Sequence, residues 1–486
     1  MNILFTHSYF LRLDCKQWKA AKPYPPLATL YAMAWLRQHG HDIALHDTMF
    51  ATGPDEIRPI LEDRRPDVLM LYDDGFNWLT KMCLSTMQEA AFEMIRLGRE
   101  AGCRVLVCSS DASDHRQRYL QHGADAIILG EGEITLGEVV ETLTRDPDAD
   151  LTAIPGLALL EGDEVRLSPP RKTLREPDTL PRPAWDLIDL APYEEMWRAH
   201  HGYWSLNLVS SRGCPYSCTW CAKPIYGDQY FLHSPERVVE DLAWLKEHHD
   251  FEHIWFGDDI FGLRADWLEA FADGLEREQL EIRFMIQARV DLLAKAEIVG
   301  PLARAGLHTV WMGVESGSQK IMDAMAKGIT VEQVHEATRL LKKADIRIAF
   351  FLQFGYLGED KEDIGKTIDL VLDLLPDEIG ISVSYPLPGT PFYETVQAQM
   401  GEKTNWTDSD DLALMYRSTF SPAYYRRLHR YVHRAFQTAR GLESLKSLIK
   451  APWRLNRGMI RTAVATGFHG PAALVERLRL KRLEGA

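Results

Sequence analysis

Near the middle of the chain, Ser211-Arg212-Gly213-Cys214-Pro215-Tyr216-Ser217-Cys218-Thr219-Trp220-Cys221 places three cysteines within eight residues. Three thiolates this close on one loop can hold three corners of a four-iron cluster, because each iron takes soft sulfur ligands. A cube held by three cysteines leaves one iron open to a further ligand, and that open iron permits chemistry beyond electron storage. Two other arrangements suit three thiols. They can be buried core cysteines, or they can bind zinc with His200 or His201 as a fourth ligand. Zinc knuckles pair two short Cys/His units, whereas this run is a single asymmetric trio.

At 486 residues the chain exceeds one ordinary core and divides into two or three domains. Its 46% apolar and 26% charged content is that of a soluble globular protein. No apolar run reaches membrane-spanning length, and Met1-Asn2-Ile3-Leu4-Phe5 opens directly as a strand, so the expected location is the cytoplasm. Seven cysteines do not make a disulfide scaffold here, and the clustered three need a reducing compartment.

Short apolar runs alternate with helical stretches over the first 145 residues. Ile3–Thr6, Ile43–His46, Val68–Tyr72, Val105–Cys108 and Ala126–Leu129 read as buried parallel strands, with helices such as Leu27–His39 and Ser85–Ala101 between them. That alternation predicts a doubly wound, flavodoxin- or Rossmann-like α/β domain with its ligand at the carboxyl ends of the strands. Residues 146–200 form a Pro-rich connector with one small hairpin, Leu157–Leu167, turning at Gly162-Asp163. A second α/β series fills 201–395, with strands at Leu206–Ser210, His253–Phe256, Ile282–Ile286, Thr309–Met312, Arg347–Gln353 and Ile379–Ser384. Six βα units predict a partial (β/α)6 barrel with its chemistry at the carboxyl ends of the strands. The rest, 396–486, reads as helical. Tyr424, Tyr425, Leu428, Tyr431, Val432, Ala435 and Phe436 recur there at helical spacing and either form a simple core-covering helix or pack over the barrel mouth.

The C-x3-C-x2-C spacing, with an aromatic residue just before the last cysteine, resembles the signature of the radical S-adenosylmethionine (radical SAM) enzymes. The resemblance implies a [4Fe-4S] cluster on Cys214, Cys218 and Cys221 and SAM chelated at the open iron. It extends to the ends of later strands: Phe256-Gly257-Asp258-Asp259-Ile260-Phe261, Gln287-Ala288-Arg289 and Gly313-Val314-Glu315-Ser316-Gly317-Ser318. It implies SAM contacts from Trp220, Asp258, Asp259, Gln287, Arg289, Glu315 and Ser316, with Arg289 opposite the methionine carboxylate. Taken alone, each segment is also an ordinary capping loop.

In the first domain, Tyr24-Pro25-Pro26-Leu27-Ala28-Thr29-Leu30 and Gly130-Glu131-Gly132-Glu133 resemble the cobalamin-binding domain fused ahead of many radical SAM barrels, and Pro386-Leu387-Pro388-Gly389-Thr390-Pro391 also matches those members. The resemblance implies cobalamin held by Ser109, Ser110, Gly130, Glu131, Gly132 and Glu133. The chain also departs from the pattern. An Asp-x-His-x-x-Gly motif is absent after the first strand, and Cys108-Ser109-Ser110 stands where relatives carry paired glycines. Cobalamin without histidine ligation is therefore expected, with neither His7 nor His115 as its ligand. Asp73, Asp74, Phe76, Asn77 and Trp78 form a loop that faces either the cobalt or the domain interface, or is a plain solvated turn.

The implied activity is methyl transfer to an unactivated carbon of a small-molecule or lipid-like substrate, with flavodoxin or ferredoxin as electron donor. No general base can be named. A cobalamin-dependent cyclase or rearrangement enzyme uses the same residues. A tRNA methylthiotransferase requires a second cysteine trio that Cys15, Cys83, Cys103 and Cys108 do not supply, so nucleic acid is not an expected partner. A non-enzymatic cobalamin sensor leaves the cysteine trio unexplained.

The formal charge of −15 is uneven. From Ser421 to Ala486 fourteen Lys/Arg face three Asp/Glu, a surplus of +11, so the preceding 420 residues carry −26. Trp453, Leu455, Met459, Ile460, Val464, Leu474, Leu478 and Leu480 are interleaved there with Arg454, Arg457, Arg461, Arg477, Arg479, Lys481 and Arg482. Such a tail is expected to dock on the acidic body or to rest on an anionic membrane surface.

Overall fold

The computed structural model describes every residue except Cys83, Glu402, Thr404, 451–456 and 485–486. Of the residues singled out above, Cys83, Trp453, Arg454 and Leu455 lie outside the described residues. So do the side chains of Trp78, Arg457, Met459, Ile460 and Arg461.

The first five strands are β1 (Asn2–Thr6), β2 (Asp42–His46), β3 (Val68–Tyr72), β4 (Arg104–Cys108) and β5 (Ala126–Ile128). They pair in parallel in the order β2-β1-β3-β4-β5, as a doubly wound sheet requires. Helices on both faces bury the central strands, and all five residues of β3 are inaccessible to solvent. The hairpin β6 (Leu157–Glu161) and β7 (Glu164–Leu167) turns where expected, but it does not stand apart in the connector. Ile127 and Ile128 pair antiparallel with Ala158 and Leu157, so the sheet runs on to Leu167.

The second sheet starts at β8 (Ser205–Leu208). A short antiparallel pair, β9 (Ser211–Arg212) and β10 (Phe231–Leu232), then closes the base of the cysteine loop. The sheet continues with β11 (His253–Phe256), β12 (Arg283–Ala288), β13 (Leu307–Glu315), β14 (Arg347–Phe354) and β15 (Glu378–Val383). All pairs within it are parallel and in sequence order, and β8 and β15 remain unjoined, which makes an open six-stranded barrel. Its outward residues, such as Val310, Met312, Ile348, Phe350 and Ile381, are buried under helices. Its inward residues Trp255, Met285, Gln287, Trp311, Phe351 and Gly380 are only half-buried, so the barrel encloses open space.

Two long helices, Pro422–Lys450 and Arg457–Leu483, form an antiparallel hairpin. The aromatic stripe packs beside the last barrel strands, with Tyr425 at the mouth end of the wall. Tyr425 contacts Gly355 at the end of β14, and Arg440 Nη1 donates to the Asp377 carbonyl at the start of β15. Anchors at both ends of the barrel wall lay the helix along its open edge.

Candidate functional site

The cysteine loop is fixed from several sides. Gly213 takes φ +79°, and a Cβ there would come within 2.2 Å of the Gln229 carbonyl, so the turn that starts the loop admits only glycine. Lys223 Nζ donates to the carbonyls of Cys214 and Tyr216, each at 2.8 Å. Thr219 N donates to the Met325 carbonyl, Thr219 O accepts from Phe392 N, and Thr219 Oγ1 meets Tyr356 Oη at 2.7 Å. The segment after the sixth barrel strand, which matched the relatives in sequence, therefore touches the cysteine loop directly.

All three cysteines are free thiols of intermediate exposure. Burial raises the pKa of Cys214 and pushes that of Cys221 up to about 12, the cost of keeping a bare thiolate in apolar surroundings. Among the described residues no three His, Cys, Asp or Glu side chains converge as the ligands of one metal ion would. A cubane spreads its thiolates around a larger core, and three soft sulfurs on one rigid loop fit that donor set. His201, one of the two candidate fourth zinc ligands, instead bonds the carbonyls of Ala20 and Ala21 at 3.1 and 2.9 Å.

Of the residues expected around SAM, Arg289 and Trp220 lie beside the loop. Arg289 Nη1 is 4.0 Å from Cys218 Sγ, its guanidinium covers the Tyr216 ring at 3.6 Å, and Nη2 donates to the Lys327 carbonyl at 2.7 Å. Trp220 is half-buried with its indole N–H unpartnered, and Lys327 Nζ lies 5.7 Å from the centre of its ring. Glu315 is already committed: Lys327 Nζ bonds its Oε1 at 2.7 Å, and both side chains are buried. Asp258 is likewise committed, accepting from Ser210 N, Ser210 Oγ and Ser211 Oγ. Burial nevertheless holds its pKa up at about 6. Asp259 pairs with Lys81 of the first domain, and Ser316 Oγ meets Thr367 Oγ1 at 3.1 Å. Asp258, Asp259, Glu315 and Ser316 thus brace the rim through their side chains, while Gln287, on the inner face, remains open to the barrel space.

The Gly-Glu-Gly-Glu loop turns out to be an interdomain contact. Arg212, two residues before Cys214, is fully buried and reaches Glu131 Oε1 at 3.3 Å and Glu133 Oε1 at 2.7 Å. Tyr31, Phe76 and Tyr226 surround its guanidinium at 5.3–5.6 Å. Both carboxylates expected at cobalamin are therefore taken by a cation. Gly132 packs under the Tyr72 ring, which leaves backbone as what this loop offers a ligand. Ser109 caps the helix Ser110–Asp114, and Ser110 keeps a buried hydroxyl without a partner. His7 is tied through both ring nitrogens, to Asp47 and Thr48, and His115 through Nδ1 to Asp111.

The loop after β3 faces the seam between the domains and is not a solvated turn. Asp73 accepts from Ser8 N and Oγ, Asp74 accepts from Ala28 N, and Phe76 stacks on Tyr226 at 4.6 Å. A narrow crevice of about 10 Å³, room for a single water, runs along this seam, bounded by Tyr24, Asp74, Asn207, Trp255 and Gln287. Tyr24 Oη, Asn207 Oδ1 and Trp255 Nε1 are buried there without partners. A cobalamin would find in this set the donors and acceptors its amide-fringed ring requires, although its volume demands that the seam part. Sequence reasoning missed Arg212, Lys327, Asn207 and Trp255. Arg212 stood in the quoted run, but nothing in a linear sequence assigns it two carboxylates eighty residues away.

Residues 208–371 match the model of the Radical SAM superfamily, a span that starts on β8 and includes the cysteine loop. An uncharacterized methyltransferase of Pyrococcus horikoshii is 31% identical over 271 residues, 56% of this chain and 57% of that protein. The chain thus matches little more than half the length of that relative. The hopanoid C-3 methylase of Methylococcus capsulatus is 27% identical over 385 residues, 77% of this chain and 69% of that one. The solved structure of the cobalamin-dependent S-adenosylmethionine radical enzyme OxsB superposes with a TM-score of 0.75 at 19% identity, covering 97% of this chain and 72% of that chain. Residues 208–371 are thus the part of the chain that matches a radical SAM domain. The superposition shows that this chain shares with OxsB the fold in which a doubly wound α/β domain precedes an open barrel.

Proposed function

We propose that this protein is a cobalamin-dependent radical SAM methyltransferase acting on an unactivated carbon of a small, largely apolar substrate. The observation that carries this reading is the meeting of two sites at one chamber. Trp255 and Gln287 line the seam crevice and also belong to the inner face of the barrel. When bound, the cluster, SAM and cobalamin supply a 5'-deoxyadenosyl radical and a methyl group that a carbon radical can take up.

The chain's own residues do the rest. Cys214, Cys218 and Cys221 hold the cluster. Arg289, paired through Nε with Asp291, turns Nη1 toward Cys218 and would meet the methionine carboxylate there; Lys327 is held by Glu315, and Gln287 and Trp220 would border the nucleoside. Gly130 and Gly132 present backbone N–H groups, and Ser109 and Ser110 line the adjoining strand end. Trp255, Met285, Trp311 and Phe351 form apolar walls that exclude water from a reacting radical and suit a lipid-like or ring substrate. Trp311 and Phe351 stack at 4.6 Å and pack directly on Gly380, where a Cβ would come within 3.0 Å of the Trp311 ring. A flavodoxin or ferredoxin is the electron donor in this reading, and the cytoplasm, with peripheral contact at an anionic membrane, is the location.

The test is reconstitution with iron, sulfide, cobalamin, SAM and a low-potential reductant. 5'-Deoxyadenosine and S-adenosylhomocysteine should form together, and the product should gain one methyl per turnover. Deoxyadenosine with an unmethylated product would assign cyclisation or rearrangement instead, and an absence of SAM cleavage would sink the reading.

A further inference from the structure

The helix Arg457–Leu483 has two apolar faces and a partner for one. Ala473 and Leu480, seven residues apart, are buried, and with them lies Glu476, which Arg427 of the neighbouring helix reaches at 3.0 Å. Val464, Phe468, Val475 and Leu478 recur at helical spacing on the opposite side, and their exposures are 74%, 65%, 44% and 53%. Leu474 flanks this stripe at 59%, and Leu442, Leu445 and Ile449 extend the apolar surface onto the end of the neighbouring helix. Among the described residues, every exposed large apolar side chain except Leu160 and Leu167 lies on this hairpin. A concentration of that kind marks a contact surface, since single exposed apolar residues are normally scattered.

The charge around the stripe is predominantly positive, with Glu443 beside Leu442 and Leu445 already paired to Lys446. Arg477, Arg479, Lys481 and Arg482 are exposed at its end, and the hairpin segment from Ser421 carries +11 while the remainder of the chain carries −26. A second copy of this chain would bring the same cations to the interface, and like charges would meet around the apolar stripe. An anionic bilayer brings the opposite sign and an apolar layer just beneath it, which are the two things this face lacks. No described helix is long and apolar enough to cross a membrane. The inner side of the hairpin does meet the body, but through Arg440 with the Asp377 carbonyl and the body's Lys361 with Glu484; among the described residues no ion pair joins a tail cation to a body carboxylate, as the sequence expectation required.

We infer that the outer face of Arg457–Leu483 is a peripheral membrane-binding surface that lays the helix flat on anionic lipid. This inference stands on the hairpin alone and is independent of the reaction the barrel performs.

Sedimentation of the full chain with sucrose-loaded vesicles tests it. Binding to phosphatidylglycerol–phosphatidylcholine vesicles should be at least about tenfold tighter than to phosphatidylcholine alone and should weaken as salt rises. The variant Val464→Glu/Phe468→Glu/Leu478→Glu should lose that binding while retaining its melting temperature and SAM cleavage. Phe468→Trp supplies a readout that does not depend on a disruptive change. Its emission, as a difference from the parent chain, should shift to the blue on anionic vesicles and be quenched by brominated lipid. Equal and weak binding to both vesicle types would overturn the inference, as would difference emission from Phe468→Trp that brominated lipid leaves unquenched. A dimer in sedimentation velocity that the triple glutamate variant breaks, with no vesicle binding, would assign the face to self-association and likewise overturn it.

Discussion

The two parallel sheets of this molecule are written in the same alternation of strand and helix, yet one is a solid layer and the other a chamber wall. In the first, β3 buries all five of its residues, and Leu69, Met70 and Leu71 are closed off on both faces. In the second, β15 alternates half-buried and buried residues along its whole length, because one face meets helices and the other meets open space. The first sheet spends its side chains on stability and offers its strand ends to the seam. The second keeps one face in reserve for ligands. What joins them is Arg212, which comes from the barrel's cysteine loop and is clamped by the first domain's Glu131 and Glu133.

The largest expected effect lies in the chamber. Cys214→Ala, Cys218→Ala or Cys221→Ala should each abolish the cluster's visible absorbance and all SAM cleavage while the first domain stays folded. A variant retaining full cleavage would remove the functional distinction between the two halves.

Each half also carries a buried acid, and their pH responses should differ. Asp74 accepts backbone N–H groups from Ala28 and Phe76, and burial raises its pKa to about 6. Glu359, at the barrel rim, accepts only from Gly355 N, and burial raises its pKa to about 8. With both raised above their unfolded values, the native state keeps protons that the unfolded chain has released, so stability falls as pH rises. The window runs from about 4 to about 6 for Asp74 and from about 4.5 to about 8 for Glu359, the latter losing at most about 5 kcal/mol. Glu359→Gln should flatten urea-unfolding stability between pH 6 and 8. An unchanged slope in that variant would show that the acid is solvated.

Arg212→Ala should destabilise the protein by about 3–5 kcal/mol, since it strands two buried carboxylates. Arg212→Met combined with Glu131→Gln and Glu133→Gln should recover most of that loss. If the single variant melts like the parent, the clamp does not hold the domains. The mildest test compares truncations in the two sheets. Met70→Ala should cost about 2–5 kcal/mol, whereas Phe351→Ala, on the half-open wall, should cost about 1 kcal/mol or less and act on substrate KM. Equal losses would mean that the barrel is packed rather than open.

The contrast between the sheets was partly legible in the sequence. The strands were placed within a residue or two in most cases, because short β-branched and leucine runs bounded by turn residues leave little choice. Leu307–Glu315 exceeded its expected span on both sides, since Gly313 and the left-handed Glu315 let the strand continue through an irregular register into the rim. The hairpin at Leu157–Leu167 was recognised, but its attachment to β5 was not, because edge pairing depends on which strand lies alongside. Gly-Glu-Gly-Glu was read as a ligand loop, and its carboxylates proved to serve the domain contact.

The sequence alone determined the chemistry this chain can host. Three thiols on a glycine-started loop after the first barrel strand define a soft-sulfur site in any fold that keeps the loop intact, because donor type and spacing are local properties. The tertiary structure decided how that chemistry is addressed. It set Lys327 against Glu315 beside Cys218, closed the seam around Arg212, left Tyr24, Asn207 and Trp255 without partners, and gave Arg457–Leu483 an outer apolar face. These are relations between residues tens to hundreds of positions apart. Burial and pairing belong to the space between elements, which periodicity along a single chain does not encode.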